Sequence, residues 1–104
     1  MNESVKRWGS YSAEKKQNIL KEGGEIYQAI VAAMPSGPGS PQAQEGITRW
    51  HQNLRYFYEP TKDILLGLGD LYNDDPEFNA FFQRIHPELA GFMRQAIQIY
   101  CAKL

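Results

Sequence analysis

Side chains able to do chemistry are scarce in this 104-residue chain, which has two histidines, His51 and His86, and one cysteine, Cys101. Nucleophilic catalysis asks for a Cys or Ser within reach of a His base and an orienting acid, and neither histidine lies in a motif that supplies them. His86 directly precedes Pro87 at a helix start, where capping is the simpler role. His51 follows Trp50 at the edge of an apolar helix face, placed either to line a pocket or to meet solvent. An enzyme pairing His51 with Glu59 or Asp63 has little support, because no nucleophile, metal set or phosphate loop accompanies them. A lone Cys101 makes no internal disulfide and no thiolate cluster, and it reads as packing. The acids Asp70, Asp74, Asp75 and Glu77 lack the loop spacing and central glycine of a calcium-binding hand. Gly67-Leu68-Gly69 lacks the third glycine and preceding strand of a dinucleotide loop. The expectation is a protein that is not an enzyme and carries neither metal nor cofactor.

Aromatic surface, by contrast, is plentiful. Ten of the thirteen aromatics lie beyond residue 41, and many have polar tips: Trp50, Tyr56, Phe57, Tyr58, Tyr72, Phe78, Phe81, Phe82, Phe92 and Tyr100. Core packing accounts for most of them. Their number still allows a cleft of flat stacking surfaces with a few hydrogen bonds, suited to a large, rigid heteroaromatic ligand. Trp50, Leu54, Tyr58, Leu65, Tyr72 and Phe82 fall at facing helical positions and are the expected cleft residues. The segment from Glu59 to Glu88 carries a net charge of −5 within a chain of net charge −1. Glu59 and Asp63 lie nearest the aromatic face, where a carboxylate would favour cationic ligands; a solvated acidic surface is the plainer reading.

The elements that must hold these residues are helices. The spacing predicts a first helix from about Ser12 to Met34, with stripes at Ile19, Ile26, Ile30, Ala33 and at Leu20, Tyr27, Val31, Met34. Gly23-Gly24 falls inside it and invites a kink or a break. Residues 35–41, rich in Pro, Gly and Ser, form a connection. Ser40-Pro41 opens a second helix carrying Ile47, Trp50, Leu54, Phe57 and Tyr58, which stops before Pro60. A third runs from about Thr61 to Asn73, and Gly67 and Gly69 around Leu68 suggest a close approach there. Asp75-Pro76-Glu77 starts a fourth, with acids at the positive end of its dipole. His86-Pro87-Glu88 starts a fifth. The expected fold is an all-α bundle of about five helices in one domain, 1–104.

Length and charge narrow the class further. The longest apolar run, Ala29 to Met34, is six residues, far short of the roughly 18 needed to span a bilayer. No apolar segment follows Lys6-Arg7 to make a signal peptide, and the expected location is cytoplasmic, without a membrane partner. Near-neutral charge offers no basic stripe for nucleic acid. An interaction module, or a homodimer using the aromatic face, stays open as an alternative.

Two stretches, RWHQNLRYFYEPTKDILLGLGDLYNDDPEF (Arg49 to Phe78) and IHPELAGFMRQAIQIYC (Ile85 to Cys101), resemble the TipAS family of antibiotic-recognition domains. The matching features are the aromatic helix end, Gly67-Leu68 with Tyr72, Asp75-Pro76 with Phe78, the I-H-P-x-L-A turn, and a short KRWG at Lys6 to Gly9. Such domains occur at the C-termini of MerR-type transcription activators and as freestanding proteins. The resemblance implies a globin-like bundle that binds thiopeptide-class or other bulky drugs without turnover. It implies that residues 8–34 form a mobile lid over a 41–104 bundle, a role that Gly23-Gly24 and the 35–41 connection suit on their own account. It also implies that the chain acts as a regulator's effector part or as a sequestering protein. Certain members capture thiopeptides through a cysteine two residues after the aromatic-acid pair's tyrosine; here Pro60 follows Tyr58-Glu59, which speaks against covalent capture.

Overall fold

The computed structural model describes residues 3–104, with side chains from residue 6 onward. Six α-helices follow in order: α1 (Glu3–Ser10), α2 (Ala13–Ala33), α3 (Pro41–Leu54), α4 (Lys62–Asp74), α5 (Pro76–Ile85) and α6 (Leu89–Ala102), with a 3-10 turn at Met34–Ser36 after α2. There is no strand among the described residues. The helix starts are fixed by local chemistry. Ser12, Ser40 and Thr61 accept hydrogen bonds from the backbone N–H groups of Lys15, Ala43 and Ile64. Asp75 accepts from both Glu77 and Phe78. Each satisfies donors that a helix end leaves open, and Pro41 and Pro76 occupy the first helical positions, where no N–H is missed.

Three features differ from the reading of the sequence. The bundle has six helices rather than five, because α1 forms ahead of Ser12 as a separate element. Eight residues are too few to be helical on their own strength; tertiary contacts hold α1. The Trp8 ring stacks on Phe57 at 5.2 Å, Arg7 Nη1 donates to the Arg55 carbonyl at 2.8 Å, and the Tyr11 hydroxyl donates to the Tyr56 carbonyl at 2.6 Å. Second, α2 passes through Gly23-Gly24 without a break. Its glycines cost about 1 kcal/mol each relative to alanine, but buried Ile19, Ile26 and Ile30 return roughly 2 kcal/mol apiece. Third, α6 begins at Leu89, not at Pro87. Pro87 forces His86 into an extended backbone, and its ring Nδ1 accepts the Glu88 N–H at 3.1 Å, so His86 caps the turn ahead of the helix.

The layers close around α3 and α6. α4 packs most extensively on α6, α2 lies on α3, and α5 closes against α4 and α6. The core combines Ile26, Ile30, Ile47, Trp50, Leu65, Tyr72, Phe82, Leu89, Met93 and Ile97. Two glycines let helices approach. A Cβ on Gly46 would meet Ile30, and one on Gly69 would lie 3.4 Å from the Arg94 Cα, which supplies the close approach that the third helix suggests. Gly67 faces open space. Asp70 and Asp74 both pair with Arg94 at 3.2 Å, tying α4 to α6. No helix of the described residues is long and apolar enough to cross a membrane.

Candidate functional site

The interhelical packing gathers five aromatic rings at the meeting of α2, α3, α4 and α5. Tyr27 stands edge-on to Phe82, with ring centres 5.2 Å apart, and edge-on to Phe81 at 6.2 Å. Phe82 in turn lies 4.4 Å from Tyr72, and Trp50 meets Tyr72 edge-on at 6.4 Å. Such pairs add about 0.5–1.5 kcal/mol beyond the area they bury. They also fix the orientations of the buried rings Trp50, Tyr72 and Phe82.

Two hollows open on this cluster. One, of about 340 Å³, is lined by Tyr27, Tyr72, Phe78, Phe81, Phe82 and the Glu77 carboxylate. The other, of about 480 Å³, is lined by Ile19, Leu20, Gly23, Gly24, Tyr27, Gln28, Asn53, Phe57, Phe81 and Ile85. Tyr27 and Phe81 belong to both, so they are lobes of one cleft between α2 and α5. The glycine pair acquires a role here, since Gly24 faces open space and a Cβ on Gly23 would reach 3.7 Å from Asn53 Oδ1. Asn53 Nδ2 donates to the Ile19 carbonyl at 3.3 Å and fastens α2 to α3 beneath this lobe.

Polar groups gather at the cleft floor. The hydroxyls of Tyr27 and Tyr72 and the indole N–H of Trp50 converge, and burial raises both phenols above their usual range. Both therefore stay protonated at neutral pH and serve as donors. The Trp50 Nε1 is buried and has no hydrogen-bond acceptor among the described residues. The two tyrosine hydroxyls can each donate and accept, while the Trp50 N–H is buried outside both linings.

The residues expected to line the cleft divide. Tyr72 and Phe82 line the aromatic lobe, whereas Trp50 is buried outside both linings and packs edge-on behind Tyr72. Leu65 is fully buried and packs in the core. Leu54 packs against that core from the end of α3. Tyr58, half-buried after α3, has its hydroxyl raised by burial and lies outside both linings. Glu59 is exposed and pairs with Arg55 at 2.8 Å, one helical turn back, away from both lobes. The carboxylate that stands at the aromatic lobe is Glu77. Tyr27, Phe78 and Phe81, outside the expected set, also line the lobes. Phe78, Phe81 and Phe82 share one face of α5 by their spacing, and the 43% and 46% exposure of Phe78 and Phe81 shows that this face extends beyond the core.

Other reactive groups are engaged elsewhere. His51 Nδ1 and the Tyr100 hydroxyl share a 2.7 Å hydrogen bond, distant from Glu59 in role and partner. Cys101 is buried, and burial pushes its thiol up, the opposite of what a nucleophile requires. No cluster of metal-ligating side chains occurs among the described residues. A larger groove of about 720 Å³ lies at the other end, between the end of α2 and the α5–α6 turn. On its wall Asn73 Nδ2 donates to the Gly69 and Ala90 carbonyls, and His86 Nδ1 accepts the Glu88 N–H.

Comparison with known proteins gives the same direction. The family of TipAS antibiotic-recognition domains matches residues 1–100. The HTH-type transcriptional activator mta of Bacillus subtilis is 36% identical over 100 residues, covering 95% of this chain and 39% of that protein. The HTH-type transcriptional activator TipA of Streptomyces coelicolor is 31% identical over 104 residues, covering 91% and 39%. The chain thus spans about two fifths of the length of these relatives. TipAS of Streptomyces lividans, solved in complex with nosiheptide, superposes with a TM-score of 0.85 at 27% identity, covering 97% of this chain and 73% of that one.

Proposed function

This chain belongs to the TipAS antibiotic-recognition family, and on that premise we propose that its two-lobed aromatic cleft binds bulky heteroaromatic antibiotics without chemical turnover. The carrying observation is the meeting of two open lobes at the shared Tyr27 and Phe81, with Tyr72 and Phe82 in the wall of one and Trp50 packed behind Tyr72. Flat rings stack on such walls, and the Tyr27 and Tyr72 hydroxyls offer hydrogen bonds to polar groups of a heterocycle. The nosiheptide complex of the structural neighbour supports a thiopeptide-like ligand class. Binding is noncovalent, because Pro60 stands where a capturing cysteine would be and Cys101 is buried with a raised thiol.

The cleft also suggests how binding becomes a signal. Tyr27, Ile19 and Leu20 belong to α2, so a ligand seated between α2 and α5 bridges the N-terminal helices to the rest of the bundle. Residues 8–34 then act as a lid whose closure is coupled to occupancy, with Trp8 on Phe57 as its clasp. The output is either activation through a transcription regulator, as in the relatives, or sequestration of the drug. A second reading, self-association through the exposed Phe78, Phe81, Ile64 and Leu71, draws on their exposure and is separable by sedimentation at rising concentration.

Calorimetric titration of the 104-residue chain with thiostrepton and with the planar cationic dye ethidium tests the function. Saturable one-to-one heat with either, accompanied by slower amide exchange over residues 8–34, is expected. No heat with both compounds refutes an antibiotic-binding cleft of this kind.

A further inference from the structure

We propose that Phe81 is a movable partition that sorts ligands by size, confining small planar molecules to one lobe and turning outward to admit a macrocycle across both. The inference rests on the ligand-binding reading above and adds a specificity residue to it. The two lobes meet at Tyr27 and Phe81 alone, and the two dividing rings are held very differently. Tyr27 is edge-on to Phe82 at 5.2 Å, and its hydroxyl joins the buried polar spot with Tyr72 and Trp50. Turning it would strip that hydroxyl of its neighbours. Phe81 has no polar anchor. Its ring meets Tyr27 edge-on at 6.2 Å and Phe82 edge-on at 5.2 Å, and 46% of the residue already faces solvent. Exposed side chains change rotamer on the picosecond-to-nanosecond scale, so the partition can move without disturbing α5.

Volume decides which ligands need that motion. Lobes of about 340 and 480 Å³ each lie at the lower end of the drug-sized range of roughly 300–1,000 Å³. A planar tricycle fits one lobe and gains from the Phe81 edge as its end wall. A macrocycle must occupy both, and its apparent affinity falls by the fraction of molecules in which Phe81 is turned out. Removing the ring therefore has opposite consequences for the two classes.

The experiment compares ethidium and thiostrepton binding to wild type, Phe81→Ala and Phe81→Leu by calorimetry, with thermal melts confirming that each variant folds. Phe81→Ala should weaken ethidium by about five- to tenfold, the loss of one aromatic edge contact, and should leave thiostrepton unchanged or tighter; Phe81→Leu should fall between. In wild type, NMR cross-peaks between the Phe81 and Tyr27 rings should persist with ethidium and vanish with thiostrepton. Equal shifts of both affinities in the same direction, or Phe81–Tyr27 cross-peaks that survive thiostrepton, overturn the partition while leaving the binding cleft intact. Wild type binding neither compound overturns the cleft itself, and the partition with it.

Discussion

Ile30 covers the bare Cα of Gly46 so closely that a Cβ added there would lie 2.6 Å from the isoleucine Cγ1. This contact sets how near α2 lies to α3, and with it the position of Tyr27, one turn before Ile30, over the cleft.

Gly46→Ala should therefore destabilise the fold by about 1–3 kcal/mol, the usual cost of overpacking a filled site, despite alanine's better helix propensity. Gly67→Ala, on the open side of α4, should instead stabilise by up to about 1 kcal/mol. Urea unfolding midpoints of the two variants check both signs. A neutral or stabilising Gly46→Ala would show that Ile30 has another rotamer available and that the α2–α3 spacing is set elsewhere.

Charge selectivity should reside in Glu77 rather than Glu59. Glu77 stands on the aromatic lobe, whereas Glu59 is exposed and paired with Arg55. Glu77→Gln should weaken a cationic dye by about three- to tenfold at low ionic strength, with the difference shrinking above about 0.5 M salt. Glu59→Gln should change it little, since exposed pairs contribute only about 0–1 kcal/mol. Fluorescence titration across a salt series decides; equal losses from the two variants would place the cation elsewhere.

Acid should weaken the fold through His51. Burial, then the nearby Arg55 charge, lowers the imidazole's pKa, with Glu59 opposing. The folded state thus binds fewer protons than the unfolded one in the window between the lowered value and the ordinary histidine pKa of about 6.5. The contribution is fully present above about pH 6.5 and is lost as pH falls toward the lowered value. Burial also raises the Tyr100 hydroxyl, which keeps its proton and its 2.7 Å hydrogen bond to the imidazole. Between pH 7.5 and 5.5 the Tm of wild type should fall further than that of His51→Gln. Parallel pH profiles would mean that the histidine titrates alike in both states.

Short-range chemistry is what the sequence by itself determined. Ser40-Pro41, Thr61 and Asp75-Pro76 mark helix starts because a cap bonds N–H groups only two or three residues away. The Ile19, Ile26, Ile30 stripe declares its buried face because helical period is a local property. Trp50, Tyr72 and Phe82 are recognisable as facing aromatics for the same reason. The tertiary structure decided the rest. α1 exists because Trp8 finds Phe57, a partner nearly fifty residues away. The helix through Gly23-Gly24 holds because its other face is buried on α3. Glu77 rather than Glu59 meets the aromatic lobe, and Tyr27 and Phe81 join two hollows, because helix spacing at Gly46 and Gly69 brings those side chains together. Each outcome depends on contacts between residues far apart in the chain, and local propensity and spacing carry no term for them.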